Sequence, residues 1–521
     1  MRPAVRVLDA AGLLVALLLL SLLAFGGFRL GPVALRRPED VFLALVIVAA
    51  LRALLAPLPG LPLSPRRIVL GAVVLYAVLM GFITLTRHYA FRTHALDLGQ
   101  FAQIAWSISN GDGPWMTLPA MHAWGDHFSP ILYLLAPLAW IAPITPALLI
   151  AQTLSLAAGG LVVFAFARRH VSDERLAAGL AVLYLANPSL HGINLRDIHV
   201  QAFAIPLLMA AALAWDTRRW AWCAVALVLV AACREDAALA VIGFALWLAL
   251  ARGRWAVGGA VALAAGALLV FDTRVLIPHY RHEAYTHLVK RYAHLGNSVA
   301  DVVLTLVARP WRWIPVLLQG AKLLYLVLIL APLAFLPLLA PLAAAGALPG
   351  LAVNLLTFDR VLFSYRTQYQ AFVLPFFVLA AVEACARLEK RAAARAPGPS
   401  PGWRARLTPG FVLGAGLLIS LALTARTVND LGIDRWRLNA EQRALRALVA
   451  RVPAAVPVSV NERLVPHLAQ RHEAYIYNTA AERSQYVLEL DSELARRPPP
   501  AGFTVEAREQ GWTLLRREPA R

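Results

Sequence analysis

The chain contains little charge and almost no cysteine for its length. Only 15% of its 521 residues are charged, whereas 60% are hydrophobic. A soluble protein of this size needs far more charge to cover its surface, so a water-soluble fold is excluded. The three cysteines, Cys223, Cys233 and Cys385, all lie in apolar stretches. Their placement excludes a disulfide framework and any thiolate metal cluster of the usual spacing.

Long apolar runs fill most of the sequence. Segments 11–28, 68–86, 145–167 and 409–425 are each long enough in helical rise to cross a bilayer and contain almost no charge. A core helix of a soluble protein would keep one polar face toward water. The pattern therefore predicts an all-α polytopic membrane protein with about 12 or 13 transmembrane helices.

The chain divides into three predicted regions. Residues 1–66 are predicted to form a transmembrane hairpin. Residues 67–426 are predicted to form a transmembrane core with long polar loops at 87–129 and 272–313. After the last span, residues 427–521 lose the apolar runs. They contain one amphipathic helical pattern and two short strand-like runs, which predict a small α/β domain.

Loop arginines predict which side of the membrane each loop faces. We take the N-terminus as cytoplasmic and the short, proline-interrupted segment 130–143 as interfacial helices. The long loops and the C-terminal domain then face outward, and only Arg36 and Arg37 oppose the scheme. The basic turns on the cytoplasmic side hold Arg66, Arg67, Arg168, Arg169, Arg175, Arg218, Arg219, Arg252 and Arg254.

The net charge of +19 is explained by these basic turns. Arginines at a membrane face meet anionic lipid headgroups, so membrane lipids are the expected partners of this charge. Nucleic acid is not an expected partner. The sequence does not indicate an oligomeric state.

Asp97 begins the first long loop, just after the third predicted span. A carboxylate at the membrane edge, followed by an aromatic helical stretch, could act as a general base on a substrate held at the interface. A helix N-cap or a solvated loop acid is the structural alternative, and the residues alone favour it.

Arg234, Glu235 and Asp236 interrupt apolar sequence on both sides. Charged groups at such depth are kept when they pair with one another or line a cavity. Two interpretations follow: a self-neutralising helix cap, or a site in which Arg234 binds a phosphate and the two acids take part in catalysis.

Further polar residues fall on the same predicted outer face. His127 and His199, with neighbouring aspartates, could bind substrate or a divalent cation, but no HExxH or similar spacing is present, so no metal site is predicted. Nucleotide-binding fingerprints are also missing, which favours a lipid-linked donor over a soluble nucleotide. Candidate phosphate-binding groups are Arg274, Arg281, Lys290, Arg291, Tyr365 and Arg366, although headgroup anchoring explains each of them singly.

Several motifs, in order, resemble a prokaryotic family of predicted multi-pass membrane proteins that is classified only as a domain of unknown function. They are HALDLGQFAQIAWSISNGDGPW, DHFSPILYLLAPLAW, NPSLHGINLRDIHVQAFAIPLL, CREDAAL and TRVLIPHY, and the resemblance runs from about residue 70 to 380. That family is similar in layout to the glycosyltransferase C (GT-C) superfamily, which includes protein mannosyltransferases and aminoarabinose transferases.

The resemblance implies a GT-C-like fold, a bacterial cytoplasmic membrane location and a polyprenyl-phosphate sugar donor. It makes Asp97 the candidate loop carboxylate, and it places Arg234, Glu235 and Asp236 where relatives keep a charged residue at the outer end of a span. Mannosyltransferases of the superfamily usually carry an Asp-Glu pair in the first loop, whereas Leu98 follows Asp97 here.

The sequence therefore predicts a membrane glycosyltransferase of inverting, lipid-phosphate-dependent chemistry. Asp97 would be the base, and Arg234, with Arg274 and Arg366, would stabilise the departing phosphate. Two alternatives remain open: a transporter or flippase for a polar lipid, and a non-catalytic membrane assembly protein that works through residues 427–521.

Overall fold

The computed structural model describes residues 2–56, 62–286, 290–394 and 408–518, and helices dominate them. By length and composition, five helices within these ranges could cross a membrane, or up to seven if each bent helix pair is one span. The five are Pro3–Phe25, Pro65–Tyr89, Ile144–Ala167, Trp255–Arg281 and Pro409–Leu431. The predicted polytopic all-α class is confirmed. The count of 12 or 13 stays a prediction, because several apolar helices are shorter than a straight crossing.

The helices of the membrane region are numbered in chain order. They are α1 (Arg2–Phe25), α2 (Pro38–Leu55), α3 (Pro65–Tyr89), α4 (Gln100–Ser109), α5 (Leu132–Leu135), α6 (Ile144–Ala167), α7 (Glu174–Leu185), α8 (Pro188–Leu195), α9 (Ala204–Asp216), α10 (Trp220–Ala231), α11 (Ala238–Arg252), α12 (Trp255–Phe271), α13 (Ile277–Arg281), α14 (Val299–Ala308), α15 (Pro310–Leu317), α16 (Gly320–Leu330), α17 (Pro341–Ala344), α18 (Leu348–Leu355), α19 (Leu374–Ala393) and α20 (Pro409–Val428).

Helix α6 is the central helix of the bundle. It is apolar around most of its circumference and packs against α3, α7 and α9. Besides Thr145 in its first turn, two buried polar residues interrupt it, Gln152 and Thr153. Buried polar groups require hydrogen-bond partners, so these two indicate where the loops of the site meet the bundle.

Short strands and irregular helices cover one end of the bundle. Two hairpins, β1 (Phe28–Leu30) with β2 (Val33–Leu35) and β3 (Trp115–Thr117) with β4 (Ala120–His122), lie in the connections that follow α1 and α4. The predicted interfacial segment 130–143 contains α5 and a 3₁₀ helix, Ala136–Trp140. Trp140 is 74% exposed, as expected for an aromatic side chain at a membrane–water interface.

The C-terminal region contains a five-stranded mixed sheet. Its helices are α21 (Ile433–Trp436), α22 (Ala440–Ala450), α23 (Val465–Leu468) and α24 (Asp491–Arg496), and its strands are β5 (Val458–Val460), β6 (Ala474–Ile476), β7 (Tyr486–Leu490), β8 (Phe503–Glu509) and β9 (Trp512–Arg517). The strand order is β6-β5-β7-β9-β8, with β5 parallel to both neighbours and the other pairs antiparallel. The predicted amphipathic helix and both predicted strands are confirmed as α22, β5 and β7.

This C-terminal region packs directly on the first long loop. Gln442 donates to the backbone oxygen of Ala90 at 3.0 Å, and Arg463 donates to that of Phe91 at 2.9 Å. The Phe91 side chain belongs to the same apolar cluster as the core of the sheet. The region therefore buttresses the chain entering the Asp97 segment. Its status as a separate domain stays a prediction, as do the boundaries at residues 66 and 426.

Candidate functional site

Asp97 lies in a backbone break between α3 and α4. The π-helical turn Ala95–Gly99 is distorted there, and Asp97 has a φ of 72°. With a ψ of −84°, this backbone lies outside the left-handed helical region that aspartate tolerates, and residues in such sparsely populated conformations cluster at functional sites. The Asp97 side chain is 48% exposed. Helix α4 has no side-chain cap hydrogen bond at its N-terminus, so the N-cap alternative for Asp97 is not observed.

A second aspartate holds the loop that faces Asp97. Asp197, which also has a positive φ, of 56°, accepts from the backbone nitrogen of His94 at 3.1 Å. Gln152 of α6 donates to the backbone oxygen of Asp197 at 2.9 Å and accepts from the backbone nitrogen of His199 at 2.8 Å. These bonds fix the backbone of His199. Its Nε2 atom lies 3.4 Å from the Asp97 carboxylate.

The surroundings of Asp97 favour its ionised form. Partial burial disfavours the charge, but His199, Arg234 and Arg196 outweigh that effect and hold the pKa of Asp97 below its ordinary value. The carboxylate is therefore charged at neutral pH. A general base needs this protonation state and an accessible oxygen atom, and Asp97 has both.

Arg234, Glu235 and Asp236 form a turn between α10 and α11. The Nε of Arg234 donates to Asp236 at 2.7 Å, and a second guanidinium nitrogen also bonds that carboxylate. With its amide oriented to satisfy both groups, the Gln201 oxygen accepts from Arg234 Nε at 2.9 Å. The charge of Arg234 is thus held in place, and Asp236 partly neutralises it.

Glu235 is 1% exposed and surrounded by donors. It lies 2.9 Å from His127 Nδ1, accepts from Tyr285 at 2.7 Å and accepts from the backbone nitrogen of Phe128 at 3.2 Å. Burial opposes its ionisation, but His127 and the other donors lower the pKa of Glu235, and the carboxylate in turn raises the pKa of His127. The two form a pair, buried at Glu235 and 32% exposed at His127, that joins the first long loop to the α10–α11 turn.

A cavity of about 250 Å³ opens beside these charges. One part of its wall is polar, and the other is aliphatic. The polar residues are His127, Arg234, Glu235, Asp236, Tyr285, Arg291, Tyr292 and Tyr369, and the aliphatic residues are Leu239, Leu269, Val302, Val303 and Val353. Val303 is 54% exposed, so the aliphatic wall continues to the outer surface of the protein. Such a cavity suits a ligand with a charged head and a hydrocarbon tail.

The structure brings six of the nine predicted site residues into two neighbouring groups. Asp97 pairs with His199, while Arg234, Asp236, Glu235 and His127 line the cavity. Asp97 itself does not belong to the cavity wall. The 3₁₀ segment Val200–Phe203 joins the groups, since it follows His199 and carries Gln201.

The other three predicted residues lie elsewhere. Arg274 is exposed in the π-helical turn Asp272–Leu276, and neither Tyr365 nor Arg366 lines the cavity. The Arg366 backbone packs against Gly192, where a Cβ atom would lie 2.4 Å from the Arg366 Cα. This close approach gives the Arg366 segment a packing role.

Arg291 and three tyrosines also line the cavity, and of these four only Arg291 is a candidate named from the sequence. Arg291 donates to the Tyr369 hydroxyl at 3.1 Å and lies 3.7 Å from Asp359, with its own side chain 43% exposed. Tyr285 and Tyr292 come from the second long loop, which has no periodic pattern to set these positions apart. Arg291 was one of several basic candidates, and only the fold distinguishes it from the others.

The metal interpretation finds no support in the part of the chain that the structure describes. No group of three or more His, Cys, Asp or Glu side chains there could hold a metal ion. His127 and His199 serve different acids, Glu235 and Asp97. The donor set therefore does not fit a divalent cation.

The chain belongs to the DUF2079 family of predicted membrane proteins, whose model matches residues 87–498. Two crystal structures of ArnT from Cupriavidus metallidurans share its fold at 13% sequence identity, each covering 86% of this chain and 97% of ArnT. The TM-score is 0.55 for ArnT bound to undecaprenyl phosphate and 0.52 for the apo state. None of the curated proteins matches the chain. The family and the GT-C-like fold expected from the sequence are thus confirmed.

Proposed function

We propose that the chain is a membrane glycosyltransferase that uses a polyprenyl-phosphate-linked sugar at the outer face of the bacterial cytoplasmic membrane. The observation that carries the proposal is the cavity whose wall is charged in one part and aliphatic in the other, next to an accessible, ionised Asp97. A lipid phosphate has the same two-part chemistry. The ArnT-like fold, seen with undecaprenyl phosphate in ArnT, supports the same donor class.

In the proposed reaction, Asp97 takes the proton of an acceptor hydroxyl. The acceptor oxygen bonds to the anomeric carbon while the bond from that carbon to the phosphate oxygen breaks. The lipid phosphate leaves with the electron pair of the broken bond. Because attack and departure occur on opposite faces of the sugar, the configuration inverts.

Two arginines would stabilise the departing phosphate. Arg291 is 43% exposed at the cavity, and its contacts to Tyr369 and Asp359 are at a wall that a ligand can reach. Arg234 is fixed more deeply by Asp236 and adds a positive charge that needs no reorganisation. Removing one such group typically costs about 10²–10³-fold in rate.

Glu235 and Asp236 are proposed as positioning residues. Each carboxylate is already engaged by donors from this chain, Glu235 by His127 and Tyr285 and Asp236 by Arg234. Neither has the exposure of Asp97. Their role is to hold His127 and Arg234 in place.

The proposed orientation puts the N-terminus in the cytoplasm and the Asp97 loop and C-terminal region outside. Cysteine labelling can test it, because the three native cysteines are buried and give little background. A cysteine introduced at the exposed Asp112 should react with an impermeant maleimide in intact cells. Reaction only after permeabilisation would reverse the orientation and remove the proposed site from the outer face.

Lipid retention tests the donor class. The chain, purified into nanodiscs with equal amounts of undecaprenyl phosphate and phosphatidylglycerol, should retain the former selectively in native mass spectrometry. Arg291→Ala should reduce this retention, whereas Arg360→Ala, a nearby substitution away from the cavity wall, should not. Equal retention of both lipids by the unaltered chain would overturn the proposed donor. Movement of the lipid across the bilayer without turnover would favour the transporter alternative.

A further inference from the structure

Two cavities lie side by side where the first long loop meets the C-terminal sheet, and Trp115 of β3 separates them. The smaller, about 160 Å³, is also lined by Trp106, Asp112 and His472. The larger, about 510 Å³, is also lined by Glu473, Tyr475 and Arg483. We call this pair of cavities the outer groove. It shares no lining residue with the cavity beside Arg234.

The outer groove is rigidly built. Gln103 of α4 accepts from the backbone nitrogen of Thr117 at 2.8 Å and donates to the Thr117 hydroxyl at 2.9 Å. That hydroxyl donates to the backbone oxygen of Ala474 at 2.7 Å. The β3–β4 hairpin is thus bonded to both α4 and β6. Trp115 nevertheless remains 45% exposed on this fixed backbone, and an exposed aromatic ring on a rigid support is typical of a binding surface.

Charge in the outer groove is balanced. Its acids, Asp112 and Glu473, are matched by Arg471 and Arg483, and His472 lies 3.6 Å from Asp112. The buried Arg471 donates to backbone oxygens of the C-terminal region. An anion such as a phosphate therefore meets no excess of positive charge, and a cation meets no excess of negative charge. The wall suits a neutral ligand with many hydrogen-bonding groups and an apolar face.

The sheet edge in the outer groove is poorly suited to a peptide. Strand β6 is the edge strand of its sheet, and an extended peptide would bind there through backbone hydrogen bonds. At Ala474 those positions are taken, because the Thr117 hydroxyl accepts from the Ala474 nitrogen and donates to its oxygen. The observations therefore favour a carbohydrate, whose ring faces stack on aromatic side chains and whose hydroxyls both donate and accept.

We infer that the outer groove binds the acceptor of the reaction and that this acceptor is a neutral oligosaccharide chain. The inference rests on the proposed function. Helix α4 connects the two sites, since it begins three residues after Asp97 and carries Gln103 and Trp106 toward the groove. Within α4, Gln100 and Trp106 are six residues apart, or roughly 9 Å at helical rise, and Asp97 lies beyond the N-terminus of the helix. An acceptor that reaches both places must be longer than a single sugar.

A glycan array tests this inference directly. The chain in nanodiscs is applied to an array of neutral and acidic bacterial cell-surface oligosaccharides, with a peptide array beside it. The unaltered chain should bind neutral oligosaccharides. Trp115→Ala should weaken that binding by at least about tenfold, as removal of a central aromatic anchor typically does. Trp115→Phe, which keeps a flat ring, should retain it. The matched control Trp222→Ala removes an exposed tryptophan outside the groove and should have no effect.

Undecaprenyl phosphate retention, measured on each variant, separates this inference from the proposed function. Trp115→Ala should retain the lipid as the unaltered chain does, which also shows that it is folded. The inference is overturned if the chain binds no oligosaccharide, if Trp115→Ala and Trp222→Ala bind equally, or if peptides are bound and lost on Trp115→Ala. In each case the proposed lipid donor is tested separately, by the retention of undecaprenyl phosphate.

Discussion

Replacing Asp97 with asparagine is the most informative substitution, because it should separate chemistry from folding. Asparagine has the same size and branching as aspartate, so it should keep the backbone found at φ 72° and ψ −84° with little added strain. The side chain is 48% exposed, and its ion-pair contact is the 3.4 Å approach to His199. The free energy of unfolding should therefore change by less than about 0.5 kcal/mol. Alanine would also remove the polar group that faces His199, so it would mix a loss of contacts with the loss of the base.

In contrast to the small change in stability, the rate of sugar transfer should fall by orders of magnitude. A positioned general base contributes about 10²–10⁴-fold, so Asp97→Asn should lose that factor while its melting temperature stays unchanged. The assay is turnover of a polyprenyl-phosphate-linked sugar in nanodiscs, with thermal unfolding measured on the same preparation. Asp40→Asn, at an exposed acid remote from the site, is the matched control. Activity within about tenfold of the unaltered chain would refute the assignment of Asp97 as the base.

Four further predictions concern the partner of Asp97, the His127–Glu235 pair and the C-terminal region. His199 helps to lower the pKa of Asp97, so His199→Gln should raise the pKa of Asp97 and move the acid limb of the pH–rate profile to higher pH. If the acid limb does not move, Asp97 does not control the pH dependence of the rate. His127→Ala removes the partner of the buried Glu235 and should cost about 3 kcal/mol. The loss should be greatest between the ordinary pKa of a glutamate and the raised pKa of His127, smaller as falling pH protonates Glu235, and smaller as rising pH deprotonates His127. Double replacement of His127 and Glu235 by alanine should cost less than the sum of the single changes, and additivity in thermal unfolding would contradict the pairing. Ending the chain after Leu431 removes Gln442 and Arg463, which donate hydrogen bonds to the backbone before Asp97. Residues 87–129 should then become sensitive to protease, and activity should be lost. A fully active truncated chain would show that the C-terminal region is not needed to hold the Asp97 loop.

The last of these predictions could not be made from the sequence. Residues 427–521 are predicted there as a small α/β domain, and nothing in their pattern shows what they contact. The fold shows that Gln442, Arg463 and Val465 pack against the start of the first loop. Long-range contacts of this kind leave no periodic trace in a sequence.

The site residues that could be predicted from the sequence are those whose charge is energetically costly in apolar surroundings. Charges flanked by apolar sequence are expensive, so Arg234, Glu235 and Asp236 stood out, and the structure places all three at the cavity. Asp97 stood out by its place at a membrane edge and by resemblance. Choosing among exposed loop arginines was not possible, because none carries such a cost. Arg291 lines the cavity, whereas Arg274 and Arg366 do not.

A structure of the chain in nanodiscs with bound undecaprenyl phosphate tests the proposed donor site most directly. Phosphate density should lie within hydrogen-bonding distance of Arg291 or Arg234, with the lipid chain running along Leu239, Val302 and Val303 and Asp97 facing the phosphate end. Phosphate density elsewhere, for example among Arg168, Arg169 and Arg219 in the open cavity they share, with none at the proposed site, would contradict it.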